Sequence, residues 1–338
     1  MDLKLSTVLC LILLFSTILN PALSELCNPT DKKVLLQIKK AFNNPYVLSS
    51  WNPKTDCCHW YSVTCDDTTN RVNSLTLFSG GLSGQIPPEV GDLPYLELLQ
   101  FHKQPNLTGP IQPSIAKLKS LKLLRLSWTN ISGSVPDFLS QLKNLTFLEL
   151  SYNSLTGSIP SSLSQLPNLG TLHLDRNKLT GPIPKSFGEF HASAPGLYLS
   201  HNQLSGKIPT SLAKLDFSTI DFSRNKLEGD ASMLFGLNKT TTTVDLSRNL
   251  LEFDLSKVKF PKSLASLDLN HNKITGSIPV GLTQADLQYL NVSYNRLCGK
   301  IPVGGKLQRF DSSTYFHNRC LCGAPLPSCK VIPPAMED

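Results

Sequence analysis

The stretch Leu145–Asn168, LTFLELSYNSLTGSIPSSLSQLPN, decides the fold. Leu145, Leu148 and Leu150 follow the pattern L-x-x-L-x-L, then come Asn153, Leu155, Gly157, Ile159 and Pro160, and Leu163 and Leu166 close the unit. Working outward, the L-x-L core recurs in ten copies. The place of Asn153 is taken in turn by Gly80, Pro105, Thr129, Asn153, Asn177, Asn202, Asn225, Asn249, Asn272 and Asn295. Spacings of 23 to 25 residues mark a solenoid, in which each repeat is one supersecondary unit. Leu148-Glu149-Leu150 alternates apolar and polar, the signature of a short half-buried strand. One strand cannot bury its apolar side alone, so the coils stack and their strands form a parallel sheet. The chain must turn after each strand, and there an Asn amide, both donor and acceptor, can satisfy backbone groups left buried. Asn153, Asn177, Asn202, Asn225, Asn249, Asn272 and Asn295 therefore form a structural ladder. Gly157 permits positive φ and Pro160 stops extension of strand or helix. The expected fold is an α/β solenoid of about ten 24-residue coils with a concave parallel sheet.

Outward from the repeats (residues 72–302) lie segments of other composition. Residues 1–24 have the form of a secretory signal: Lys4, an apolar run from Val8 to Leu19, then small residues at Ala22-Leu23-Ser24. No later stretch approaches the roughly 18 apolar residues of a membrane span. Eight cysteines remain after Cys10 leaves with the signal, in two clusters: Cys27, Cys57, Cys58, Cys65 and Cys298, Cys320, Cys322, Cys329. An even number at both ends of a secreted chain argues for disulfides rather than metal, with three pairings open to each cluster. They staple caps over the terminal coils, residues 25–71 and 303–329, followed by a loose tail at 330–338. A helix in the first cap is expected to start at Thr30 or Asp31 and to bury Val34, Leu35, Ile38, Ala41 and Phe42. Trp51 and Trp60 pack on the first coil. The formal net charge of +7 survives loss of the signal. It suits an acidic cell-wall polymer and does not call for nucleic acid.

The repeats break pattern in two places. The second copy carries an extra residue between Phe101 and Pro105, and the eighth replaces Gly-x-Ile-Pro with Phe253-Asp254-Leu255. Asn-x-Ser/Thr sequons stand at Asn106, Asn130, Asn144, Asn238 and Asn291. Asn144 and Asn238 precede strands and are the best placed for glycan, whereas a glycan on Asn291 would cover the open face of the sheet.

That open face is charge-patterned. Between the two strand leucines the copies place Thr76, Gln100, Arg125, Glu149, His173, Tyr198, Asp221, Asp245, Asp268 and Asn291. Just before the ladder position come Tyr152, Arg176, His201, Arg224, Arg248, His271 and Tyr294. With strands about 4.8 Å apart, Asp221, Asp245 and Asp268 repel one another. Either Arg176, Arg224 and Arg248 neutralise them as surface pairs, which are worth little, or a basic partner surface relieves the cluster. Phe78, Trp128, Phe147, Tyr152, Tyr198, Tyr289 and Tyr294 lie on or beside the same face, as binding anchors or as cross-strand packing. Lys103, Arg125 and the three other arginines could also hold the carboxylates of an acidic polymer.

Several stretches carry a family resemblance. Leu48-Ser49-Ser50-Trp51 with Asp56-Cys57-Cys58-His59-Trp60, and the repeat ending Leu155-Thr156-Gly157-Ser158-Ile159-Pro160, are similar to plant extracellular leucine-rich-repeat proteins. Pro136–Gln141, Leu227–Ser232, Leu307–Asp311 and the ending Cys320–Pro327 narrow this: the mature chain to Cys329 resembles the plant polygalacturonase-inhibiting proteins. The resemblance implies a secreted cell-wall defence protein that binds fungal, and also insect, endopolygalacturonases and slows their cutting of homogalacturonan. It implies the pairs Cys27–Cys57, Cys58–Cys65, Cys298–Cys320 and Cys322–Cys329, and recognition through acidic strand positions. Matched by motif, these are Glu149, Asp175 and Asp221, the first being Asp in relatives. The other residues of the two stripes, His173, Tyr152, Tyr198, Asp245, Asp268, Arg176, Arg224, Arg248 and His271, complete the expected docking set. A monomer with no cofactor and no metal is expected.

Three rival functions compete with this expectation. An enzyme could use His173 with Asp175, or His271 near Asp268, but a nucleophile, a closed cleft and metal-ligand spacing are missing from the sequence. A soluble ligand-binding or co-receptor module would share the repeat of receptor kinases, although no span or kinase follows Cys329. Ice binding, which occurs in a relative of the family, calls for flat, regular outer residues that these irregular charges do not provide.

Overall fold

The strand of each repeat pairs in parallel with that of the next. The concave sheet runs Val72–Phe78, Leu98–Gly109, Leu123–Ser134, Phe147–Glu149, Thr171–His173, Gly196–Tyr198, Thr219–Asp221, Thr243–Asp245, Ser266–Asp268 and Tyr289–Asn291. A computed structural model describes residues 26–191 and 195–329. The expected signal and tail lie outside the described residues. Leu148, Leu150, Leu155, Leu163 and Leu166 are fully buried and Ile159 nearly so, so the motif leucines of each coil stack into one continuous core. After the turn, a second short strand at the Leu-Thr-Gly segment pairs between coils, as in Ser154–Ser158 with Lys178–Gly181. The convex side is closed by one turn of 3-10 helix, such as Ser161–Gln165. The sequence reading did not anticipate this second ladder of strands.

The asparagines hold adjacent coils together. Asn177 Nδ2 donates to the carbonyls of Leu174 (3.1 Å) and Asp175 (3.2 Å) in its own turn and of Leu150 (2.9 Å) in the preceding coil. Its Oδ1 accepts from the Leu155 amide at 3.0 Å. Asn153, Asn202, Asn225, Asn249, Asn272 and Asn295 likewise donate to their own and the preceding turn. Two ladder assignments need amendment. In the second copy the position belongs to Gln104, not Pro105: Gln104 is fully buried and its Oε1 accepts from the Leu82 amide at 3.3 Å. A proline side chain could not do this, and the extra residue is taken up as a register shift between Gln104 and Thr108. The ladder also outlasts the ten repeats. Asn318, in the C-terminal cap, donates to Val292 and Tyr315 carbonyls at 3.0 Å and accepts from the Leu297 amide.

The residue before each ladder position turns the chain in the left-handed region. From Lys103 to Tyr294 these φ values lie between 53 and 55°, at a cost of about 1 kcal/mol or more for an L-residue. This conformation, supported by the ladder bonds, places the basic and aromatic stripe along the rim of the concave face.

The N-terminal helix spans Pro29–Ala41, with Asn28 as its cap, accepting from the amides of Thr30 and Asp31. Thr30 and Asp31 are thus inside the helix rather than at its start. Asp31 is buried and takes a two-point contact from Arg71 (2.7 and 2.8 Å) plus the Val72 amide, pinning the helix to the first strand. Val34, Leu35, Ile38 and Phe42 are buried, but Ala41, the last helical residue, faces solvent. Trp51 and Trp60 stack at 5.8 Å in the core of the cap. The cysteines are joined as Cys27–Cys57, Cys58–Cys65, Cys298–Cys320 and Cys322–Cys329. Cys27, Cys57 and Cys58 cluster with Asp56, but as disulfide sulfurs they offer no thiolate to a metal.

Candidate functional site

Because every strand is in register, each sequence position becomes a row across the concave sheet. Asp221, Asp245 and Asp268 are direct neighbours in one row. Two residues further along each strand stands a small donor, and this acid-x-Ser/Asn spacing orients the carboxylates. Asp221 accepts from the Ser223 amide (3.1 Å) and hydroxyl (2.7 Å), and Asp245 from the Ser247 amide (2.9 Å). Asp268 accepts from the Asn270 amide (3.0 Å), Asn270 Nδ2 (2.6 Å) and the Tyr289 hydroxyl (3.0 Å). Sequence reasoning passed over Ser223, Ser247 and Asn270, although the repeated D-x-S/N was there to be seen.

These residues floor a polar groove of about 500 Å³, rimmed by Tyr152, Arg176, His201, Arg224 and Arg248 and containing Asp175. Burial pushes Asp245 up to about 6, with Asp221 and Asp268 adding to the shift against the opposing Ser247 bonds. Burial raises Asp268 too, opposed by Asn270, Tyr289 and Arg248. Burial lowers His201, helped by Arg176 and Arg224, and lowers His271, helped by Arg248. Among the described residues no ion pair within 4.0 Å joins Arg176, Arg224 or Arg248 to the aspartates. The neutralising surface pairs considered above are therefore not formed. The left-handed turn carries each arginine to the rim, while the carboxylates stay on the floor. Arg176 instead lies over the Tyr152 ring at 4.7 Å.

The three acids singled out by the resemblance do not share one environment. Asp175 and Asp221 line the groove. Glu149 lies outside it, held by Arg125 Nε at 2.5 Å and the Ser151 hydroxyl at 3.2 Å. Asp175 Oδ1 is 3.4 Å from His173 Nδ1 yet buried without a hydrogen bond. His173 stacks on Tyr198 at 4.0 Å.

Much of the aromatic set packs across strands. Trp128 stacks on Tyr152 at 3.6 Å, and His271, Tyr294 and His317 form a three-ring stack at 4.1 and 4.2 Å. Trp128 and Tyr294 still leave 44% of their surface to solvent. His317 continues the rim row one turn beyond the repeats, a position the ten-copy alignment did not include. Asn106, Asn130, Asn144 and Asn238 are exposed, although Asn144 Nδ2 donates to the Lys119 carbonyl at 2.8 Å. Asn291 is half-buried on the floor, its Oδ1 accepting from the Ser293 hydroxyl and amide.

Comparison with known proteins accords with this architecture. Residues 28–66 match the leucine rich repeat N-terminal domain, and residues 119–179, 196–215, 263–285 and 286–305 match leucine rich repeats. The chain is 78% identical over 330 residues to a polygalacturonase inhibitor of Pyrus communis, covering 98% of this chain and all of the relative. It is 70% identical to a polygalacturonase inhibitor of Vitis vinifera, covering 95% of this chain and 96% of the other. Among solved structures, a plant ice-binding protein superposes with a TM-score of 0.88 at 56% identity, covering 90% of this chain and 98% of that one. With this identity running through caps and repeats alike, the chain belongs to the polygalacturonase inhibitor family of leucine-rich-repeat proteins.

Proposed function

We propose that this protein is an inhibitor rather than an enzyme: a secreted plant cell-wall protein that docks fungal endopolygalacturonases on its concave face and limits pectin degradation. The observation that carries this reading is the groove itself, in which oriented carboxylates and rim arginines stand without ion pairs to one another. Charges left in that state complement a partner of mixed charge and steer its approach. Asp175 and Asp221 engage basic residues around the target's cleft, Asp245 and Asp268 extend that contact, and the exposed face of Trp128 and exposed edge of Tyr294 anchor its flanks. The seated protein obstructs substrate access, and no bond-making by the inhibitor is required. Insect polygalacturonases fit the same surface. The rim arginines, with Lys103, suit the carboxylates of homogalacturonan. Glycans on the exposed sequons Asn106, Asn130, Asn144 and Asn238 would leave the groove open.

The test is titration of purified protein against a panel of endopolygalacturonases, with release of reducing ends as the readout. Inhibition that weakens and loses salt sensitivity in an Asp175→Asn, Asp221→Asn variant supports the assignment. Full enzyme speed in excess protein refutes the function. The likeness to the ice-binding protein favours a second reading, which a thermal-hysteresis measurement decides. The broken charge pattern of the concave face gives it no support there.

A further inference from the structure

The carboxylates on the groove floor are not equivalent. Asp221 is held by two donors of Ser223 and Asp268 by Asn270 and Tyr289, while Asp245, on the strand between them, accepts from Ser247. Neighbouring strands are about 4.8 Å apart and the three residues are in register, so like charges stand side by side. Asp268 is only 9% exposed. The groups around Asp245 are Asp221 on one adjoining strand, Asp268 on the other, Tyr289 one strand beyond, Arg224, Arg248 and His201 lining the same groove, and His271, which acts on Asp268. None of the arginines comes within ion-pair distance of the aspartates among the described residues. Burial and the arginines favour neutral His201 and His271, so these do not supply the missing cation near pH 7. Crowded, buried carboxylates with no cation at ion-pair distance relieve their repulsion by keeping a proton.

We propose that the free groove holds one proton between Asp245 and Asp268, and that seating a guanidinium or ammonium group of the docked protein there expels it to solvent, making docking proton-linked. This rests on the reading that a protein docks on the concave face. It adds that affinity rises with pH while the proton is still present, by up to about tenfold per pH unit for a single linked proton. It also assigns the burial of Asp245 a role: the groove is charged least when empty and most when filled.

The experiment is calorimetric titration of the full secreted protein with an endopolygalacturonase between about pH 5 and 7, in buffers of different ionisation enthalpy, to count protons released. Release approaching one proton is expected at the acidic end of the range, falling to about half near pH 6 and towards none at pH 7. Asp245→Asn should bind more weakly at neutral pH, with a flat pH dependence and no release, whereas His201→Gln and His271→Gln should still release it. Binding without release, or release unchanged in Asp245→Asn, overturns the proposal and leaves docking standing. Absence of binding by any polygalacturonase overturns docking and the proposal with it. A partner-free arm guards against a misfolded variant: carbon NMR of the aspartate carboxyls should show Asp245 titrating near 6 and dropping in Asp268→Asn. An Asp245 midpoint in the ordinary carboxylate range also overturns the proposal.

Discussion

In the row between the strand leucines, the side chains from Arg125 to Tyr198 find partners within the protein, whereas from Asp221 to Asp268 the carboxylates of the same row are held by neutral donors. In the first region Arg125 grips Glu149, His173 stacks on Tyr198, and Arg176 covers Tyr152, while Asp175, outside this row, lines the groove with its Oδ1 buried and not hydrogen-bonded. In the second, serine, asparagine and tyrosine orient the acids but leave their charge uncompensated. Both regions are built on the same repeat, with the same ladder and the same turn. The difference shows that the scaffold sets where side chains stand, while the residues chosen for one row decide whether that row serves stability or a partner.

The largest effect expected from breaking this comparison is on binding. Asp175→Asn with Asp221→Asn should cost about 2–5 kcal/mol of affinity, the usual loss when one side of a desolvated charge contact is removed. Glu149→Gln should cost binding far less, since its charge is already used by Arg125. Inhibition constants at two salt concentrations would check both, and a Glu149 effect equal to that of the double variant would erase the distinction between the regions.

Asp245 provides the next test, on stability. Its folded-state pKa of about 6 lies above the unfolded value of 3.8, so the native state binds more protons between those values and stability falls as pH rises through that window. Below it the residue is neutral in both states and contributes nothing. Asp245→Asn should therefore match the parent near the bottom of the window and exceed it at pH 7 by up to about 3 kcal/mol. Urea unfolding at both pH values measures this, and equal stability at both would mean that the groove carries its charges without strain.

How far this site could be read from the chain depends on what fixes each part. The ladder was legible because Asn recurs at a fixed place with an evident hydrogen-bonding purpose. It slipped at Pro105, where an inserted residue moved the turn to Gln104, and it stopped short of Asn318 because the cap lacks the leucine phrase. The charged rows followed from strand periodicity. The pairing of Arg125 with Glu149, one repeat apart, was implicit in the register. The left-handed turns were not legible: Trp128, Tyr152, Arg176 and Arg248 are not residues that favour positive φ, and only the stacked coils impose it. Nor could the sequence separate a carboxylate on the floor from an arginine on the rim three residues later. That separation depends on this turn, and it is what leaves the groove unpaired.

Glu149→Gln should also register in stability, as the counterpart of Asp245→Asn with the opposite sign. Removing the carboxylate charge leaves Arg125, 29% exposed, without its ion pair, at about 1–2 kcal/mol for a partly buried charge-assisted bond. Thermal unfolding at pH 7 should show the loss, and at this pH it should run against the gain in Asp245→Asn.

The smallest expected effect concerns the aromatic rim. Trp128→Ala removes a stack on Tyr152 worth about 0.5–1.5 kcal/mol beyond the area it buries, but Trp128 also presents an exposed face. If that stack is only packing, the variant loses stability and inhibits as before once folded. If the exposed ring is an anchor, affinity falls as well, and mainly through faster dissociation, since contacts of this kind act on the off-rate. Measuring association and dissociation separately for Trp128→Ala and Tyr294→Ala distinguishes the two. Tyr294 lies within a stack between two histidines at the far end of the groove, so an off-rate effect there but not at Trp128 would place the partner over the uncompensated half of the sheet.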